Sequence, residues 1–335
     1  MKPKFRKALA ALLAVICALC LGRTALQLVQ YRQGDETYAQ AEELAGLPDL
    51  SDLPVVDFTG GSGSVSSSAS TDGAGEAPEE VPVWQDPYAQ ALKDMDFSAL
   101  RQQNPDVLGW ILIPGTRVSY PVVQGTDNSY YLDHTWRGGK NSVGAIFMEC
   151  RNSSDLSDFN TIIYGHRMNN RSMFGTLSQY KSRSYWQAHP YVYLTDDSGT
   201  HRYEIFAAGE VSVDSDVYRL GLRSSSGRQS FLDSCLSLSA LNTGVTPHVY
   251  DKVLTLSTCT GNGHATRWVV QAVCPGQAPE TPEIPQEEPT PQPDASQPEE
   301  SVQTPDVSQE SPAEPEQPQE PEPAPSQDIR PEETA

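Results

Sequence analysis

Thr255-Leu256-Ser257-Thr258-Cys259-Thr260-Gly261-Asn262-Gly263-His264-Ala265-Thr266-Arg267-Trp268-Val269-Val270 alternates apolar and hydroxyl residues, breaks at two glycines, and resumes as an apolar run. That pattern predicts a buried strand, a short loop and a second strand. Lys252 to Ser257 and Arg267 to Val273 are the two strands that close the folded unit. Cys259 then sits at a strand end, rigid behind and accessible in front, which is where a nucleophile is best held. Arg267 opens the returning strand, and a hairpin places it roughly level with Cys259.

Working outward, the same signals recur. Gly109 to Ile113, Val118 to Val123, Gly144 to Met148, Thr161 to Tyr164, Tyr191 to Leu194 and Tyr203 to Val213 are short apolar or β-branched runs. Asp196-Asp197-Ser198-Gly199 marks a hairpin between the last two. Asp86 to Gln103 has helical spacing and ends at Asn104-Pro105-Asp106. Ser226 to Leu241 reads as a late helix, with Phe231, Leu232, Cys235, Leu236 and Leu238 as its apolar positions. Many short strands and few helices point to a mainly β fold, a barrel or a sandwich.

The flanks differ in kind. Lys2, Lys4, Arg6 and Lys7 precede an apolar run from Ala8 to Leu21. Positive charge before such a run places the N-terminus in the cytoplasm. Leu19, Leu21 and Arg23 spoil a small-x-small cleavage site, so an uncleaved signal anchor is preferred to a cleaved signal peptide. Residues 1–23 are therefore read as basic tail and anchor, and residues 24–83 as a short helical stalk (Gln27 to Ala45) and a Gly/Ser-rich linker. Residues 84–274 are the folded domain, lying outside the cell. Residues 275–335 are almost all Pro, Glu, Gln, Ser, Thr and Asp, a composition that favours disorder. The chain of 335 residues carries a net charge of −21. No sizeable basic patch lies outside the extreme N-terminus, which disfavours nucleic-acid binding.

Six cysteines are present. Cys17 and Cys20 fall inside the apolar run. Cys150, Cys235, Cys259 and Cys274 are too irregularly spaced for a disulfide-dense scaffold, so free thiols are expected, with the pairing of Cys150, Cys235 and Cys274 left open. No Cys/His pair has zinc-ligand spacing, no dense acidic loop suggests calcium, and neither metal nor cofactor is expected.

Chemistry gathers at three places: Cys259, Arg267, and His166 at the end of the apolar run Ile162-Ile163-Tyr164-Gly165. A thiol can attack a carbonyl to give a thioester. A histidine can pass a proton to a departing amine, and a guanidinium can hold the developing oxyanion. Each residue alone has a plainer reading: a buried small side chain, a polar loop residue, a surface charge. His264 is a rival base, five residues from Cys259. His134, His189, His201 and His248 read as surface or turn residues, and Tyr120, Tyr130 and Tyr131 as packing.

At these residues the sequence resembles a class B sortase of Gram-positive bacteria. Thr255-Leu256-Ser257-Thr258-Cys259 fits that family's TLxTC signature. Arg267-Trp268-Val269-Val270 fits the arginine opening its next strand, and Tyr164-Gly165-His166-Arg167-Met168 its histidine motif. Asn104 to Ile111, Tyr120 to Gln124, Asp127 to Leu132 and Gly144 to Met148 continue the resemblance, which covers about Asp86 to Val273. It implies a closed β-barrel of about eight strands with N-terminal helices and one added helix between late strands. The implied reaction is transpeptidation on exported proteins that carry a C-terminal sorting signal. Cys259 would cleave after Thr, and the acyl group would pass to an amine of peptidoglycan or its lipid-linked precursor. His166 would serve as acid and base, Arg267 as substrate and oxyanion holder, and Thr258 as part of the substrate site. The loop from Thr260 to Thr266 is shorter than in some relatives, which bears on substrate detail. A cysteine peptidase with the same residues and a non-catalytic exported scaffold are the alternatives.

Overall fold

The computed structural model describes residues 3–50, 53, 86–261 and 265–276, with side chains from residue 12 onward. The linker and the acidic tail read from the sequence lie outside these residues, apart from Pro275 and Gly276.

Eight strands close into one barrel: β1 (Val107–Leu112), β2 (Ser119–Val123), β3 (Ile146–Met148), β4 (Asn160–Tyr164), β5 (Tyr191–Asp196), β6 (Gly199–Ser212), β7 (Lys252–Cys259) and β8 (Thr266–Cys274). Their order around the barrel is β1-β2-β3-β4-β7-β8-β6-β5. β2–β3 and β4–β7 are parallel pairs and the rest antiparallel. Closure leaves no exposed sheet edge. The expected strands are all present. The run from Gly144 begins only at Ile146, because Gly144 takes a positive φ of 64° that a strand residue cannot share.

Among the described residues, five α-helices complete the fold: α1 (Pro3–Leu44), α2 (Pro87–Leu92), α3 (Ser98–Gln103), α4 (Arg183–Ala188) and α5 (Ser225–Leu238). The helical stretch expected over Asp86 to Gln103 is two helices. The Asp86 carboxylate caps α2 by accepting from the Tyr88 and Ala89 amides. The Asp96 carboxylate takes the Ser98 amide and hydroxyl, so a second helix starts there. α5 is the late helix, ending at Ser239, whose hydroxyl donates to the carbonyl of Leu241.

The barrel interior and the helices at its end share one core, in which Trp110, Tyr131, Trp136, Phe174 and Tyr180 are fully or almost fully buried. A second core lies between α5 and the barrel, where Phe231, Leu232 and Cys235 meet Phe206, Val211 and Val269. The Asn160 amide ties the connection into α5 to β4 by donating to the carbonyls of Val217 and Arg219 and accepting from the Thr255 hydroxyl.

α1 is one helix that changes character along its length. Its first part is apolar and exposed, with a segment long and apolar enough to cross a membrane. Its last part packs on the barrel through Tyr38, Ala41 and Ala45. Tyr38 donates to the carbonyl of Gly144 at 2.6 Å and sets its ring edge-on to Tyr120. Asn141 and Ser142 donate to the backbone and side-chain oxygens of Gln30, and the Trp136 indole donates to the carbonyl of Thr37. The stalk read over Gln27 to Ala45 is thus helical, and its later turns are part of the core.

Phe231→Ala, which empties a fully buried aromatic site beneath α5, should lower unfolding stability by about 3–5 kcal/mol, read as a shifted midpoint in urea with the barrel still formed.

Candidate active site

Two parallel strands set the site. β4 and β7 run side by side with Tyr164 paired to Ser257. The ladder continues past β4, since the Gly165 amide donates to the Ser257 carbonyl. His166 lies two residues beyond Tyr164, and Cys259 two beyond Ser257. Equal offsets on neighbouring parallel strands put both side chains on one face, with strands about 4.8 Å apart. On the other side of β7, Cys259 pairs with Arg267 of β8. Directly opposed residues of an antiparallel pair have Cβ atoms about 5 Å apart. Cysteine, histidine and arginine are therefore brought together by register.

These three side chains line one cleft of about 220 Å³ with Asn128, Leu132, Phe147, Tyr164, Gly165, Ser257 and Thr258. His166 Nε2 is 2.6 Å from the carbonyl of Leu132. Gly144 makes room for this ring, because a Cβ there would sit 2.9 Å from His166 Cδ2. Arg267 Nη1 donates to the carbonyl of Thr266 at 2.9 Å. Arg167, beside the histidine, donates to the carbonyl of Thr260, tying the histidine loop to the residue after the cysteine.

Thr258 is buried, and its hydroxyl donates to the Gly165 carbonyl at 2.8 Å. The side chain expected at the substrate thus commits its proton to holding the cysteine strand against the histidine strand. Below Cys259, the Ser257 hydroxyl meets Tyr218 Oη at 2.9 Å. Burial is the main cause that raises the Tyr218 hydroxyl, while the nearby Arg267 charge pulls the other way.

The floor of the cleft rests on a carboxylate absent from the sequence reading. Glu149, directly after β3, is 1% exposed. It accepts from Asn128 Nδ2 at 2.8 Å, Tyr164 Oη at 2.9 Å and Arg151 Nε at 2.7 Å. Burial would raise this carboxyl, but the donors from Arg151, Asn128 and Tyr164 outweigh it and hold the group at about 2. Tyr164 is driven the other way, by burial and then by the Glu149 charge. Cys150, whose role the sequence left open, is half-buried with its thiol 3.6 Å from Glu149. Burial and that carboxylate raise it, which disfavours the thiolate. All six cysteines are free thiols.

The other histidines among the described residues do not line this cleft. His134 stacks on Tyr130 and pairs with Asp133, His189 meets the Pro114 carbonyl, and His201 meets Asp196. His264 lies outside the described residues. Of the tyrosines, Tyr120 and Tyr131 are buried, and Tyr130 is exposed.

Residues 111–274 match the family model of the sortase domain. Sortase B of Staphylococcus aureus is 32% identical over 163 residues, which are 49% of this chain and 67% of that relative. The structure of the S. aureus sortase B–substrate complex superposes with a TM-score of 0.51 at 31% identity, covering 54% of this chain and 85% of that one. A structure of sortase B complexed with triglycine gives a TM-score of 0.51 at 31% identity, covering 54% and 86%.

The geometry makes two outcomes measurable. Thr258→Val keeps the shape but strands the buried Gly165 carbonyl, and should cost about 1–3 kcal/mol of stability. Glu149 titrates lower in the folded chain than its ordinary 4.5. Its stabilisation is then fully present above that value and lost as pH falls toward about 2. A melting-temperature profile against pH should lose this acid limb in Glu149→Gln.

Proposed function

The chain belongs to the sortase family, in its class B, a family of cysteine transpeptidases, and on that premise we propose that Cys259, His166 and Arg267 carry out acyl transfer from a C-terminal sorting signal to an amine. The register that sets His166, two residues past the end of β4, beside Cys259 on β7, and Cys259 opposite Arg267 on β8, supports this reading above any other observation.

Cys259 Sγ attacks the carbonyl carbon of the Thr residue in the sorting signal, forming the C–S bond. The guanidinium of Arg267 holds the oxyanion of the tetrahedral intermediate, where charge develops in the transition state. The C–N bond breaks as His166 supplies a proton to the leaving amine, and a thioester remains. An incoming amine, giving its proton to His166, attacks the thioester and returns the thiolate of Cys259. Thr258 acts as a tie that keeps the two strands in register.

The acceptor we favour is borne at the membrane surface. The exposed apolar face of α1 ends at Val29, and Gln30 already touches Asn141 and Ser142. Tyr38, eight residues on, is about 12 Å further along the helix, and it bonds Gly144, which abuts His166. With α1 crossing the membrane, the catalytic cleft stands within reach of lipid headgroups and of a lipid-linked peptidoglycan precursor. The sortase B structures with a substrate and with triglycine are in keeping with a peptide donor and an amine acceptor.

The test is turnover by the full chain in liposomes, using fluorogenic sorting peptides with Thr at the fourth position and oligoglycine or a diamine as acceptor. Cleavage after Thr with ligation to the amine, abolished in Cys259→Ala, is the expected result. Cleavage without ligation would favour the peptidase. No cleavage, with Cys259 unreactive to iodoacetamide, would leave a scaffold.

A further inference from the structure

We infer that Glu149 is a positioning residue for the peptide substrate: its buried carboxylate fixes the Tyr164 hydroxyl and the Asn128 carboxamide in the cleft wall. The inference rests on the acyl-transfer reading above and adds a group that does not itself line the cleft. Both partners do line it, beside Cys259, His166 and Arg267.

The hydrogen-bond inventory sets what each partner can offer. An ionised carboxylate accepts only, so Tyr164 must give its proton to Glu149 and turn an oxygen lone pair to the cleft. Asn128 gives one amide proton to Glu149, while its Oδ1 accepts from the Cys150 amide at 2.9 Å. That fixes which end of the carboxamide is the donor and leaves a second Nδ2 proton for a ligand. The cleft thus presents one set acceptor and one set donor. An extended peptide carries a carbonyl and an amide that can meet both.

The carboxylate is in turn held firmly. Its second oxygen accepts from the side chain and backbone of Arg151. The Gln124 amide donates to the carbonyls of Glu149 and Asn152, pinning the loop that carries it. Taking a charge out of water is costly, and a site built for stability alone is better served by apolar packing. Glu149→Gln keeps the volume but replaces an acceptor oxygen by a donor amide. With Arg151, Asn128 and Tyr164 all donating, at least one loses its acceptor and must turn.

The experiment uses the full chain in liposomes with a fluorogenic sorting peptide that the wild type cleaves. Glu149→Gln should raise KM about tenfold with kcat within about threefold. Carbamidomethylation of Cys259 by iodoacetamide should keep its rate and pH profile, since Cys259, His166 and Arg267 are untouched. In an Asn128→Ala/Tyr164→Phe background, adding Glu149→Gln should cost less than about twofold more. A further tenfold loss in that background, an unchanged KM, or slowed alkylation of Cys259 would overturn the inference. Should Cys259 react with iodoacetamide while no peptide is cut, the substrate reading fails separately. A crystal structure of Glu149→Gln then decides: reoriented Asn128 or Tyr164 upholds the positioning role, and both unmoved overturns it.

Discussion

The parallel pairing of β4 with β7 is the constraint on which the site depends. A strand has a side-chain period of two, so a slip of one residue would turn Cys259 or His166 to the opposite face. Two independent ties guard against this slip beyond the regular ladder. The Gly165 amide binds the Ser257 carbonyl, and the Thr258 hydroxyl binds the Gly165 carbonyl. Both lie between the last paired residues and the pair Cys259 and His166. The chain therefore fixes the backbone offset of Cys259 and His166 with a ladder bond and a buried hydroxyl, leaving both side chains at the cleft.

Around Cys259 and His166, a small residue and a charge shape the cleft. Gly144 adopts a left-handed φ and clears space for the His166 ring, while its carbonyl receives the Tyr38 hydroxyl from α1. One glycine thus joins the helix docked on the barrel to the wall of the histidine. Glu149 takes the opposite approach, an ionised group buried under the cleft and saturated by donors. The same bonds that hold its carboxyl at about 2 orient the side chains above it.

α1 links the membrane reading to the catalytic one. A helix that ended at the apolar run would leave the barrel on a tether. Instead the helix runs on, and its later turns contribute Tyr38, Ala41 and Ala45 to the barrel core. The position of the cleft along the helix is then set by side-chain packing, which is stiffer than any linker of glycine and serine.

Much of this was legible in the residues. Short apolar or β-branched runs marked all eight strands, the hairpin at Asp196 to Gly199 was readable from its turn residues, and the motifs at Tyr164 to Met168 and Thr255 to Val270 located Cys259, His166 and Arg267. These signals are local: periodicity, turn chemistry and strand ends are written within a few neighbouring residues. Other features were not legible, because they depend on partners far apart in the chain. Nothing in Met148-Glu149-Cys150 says that the carboxylate is buried under Asn128 and Tyr164, 21 and 15 residues away. Nor does Thr258 announce that its hydroxyl is used across strands, or Tyr38 that it reaches a carbonyl 106 residues on. The sequence by itself determined the strands, the reactive residue types and the apolar helix. Register, burial and the long-range hydrogen bonds were decided only when the barrel closed, because closure alone brings those distant donors and acceptors within bonding distance and shuts water out from between them.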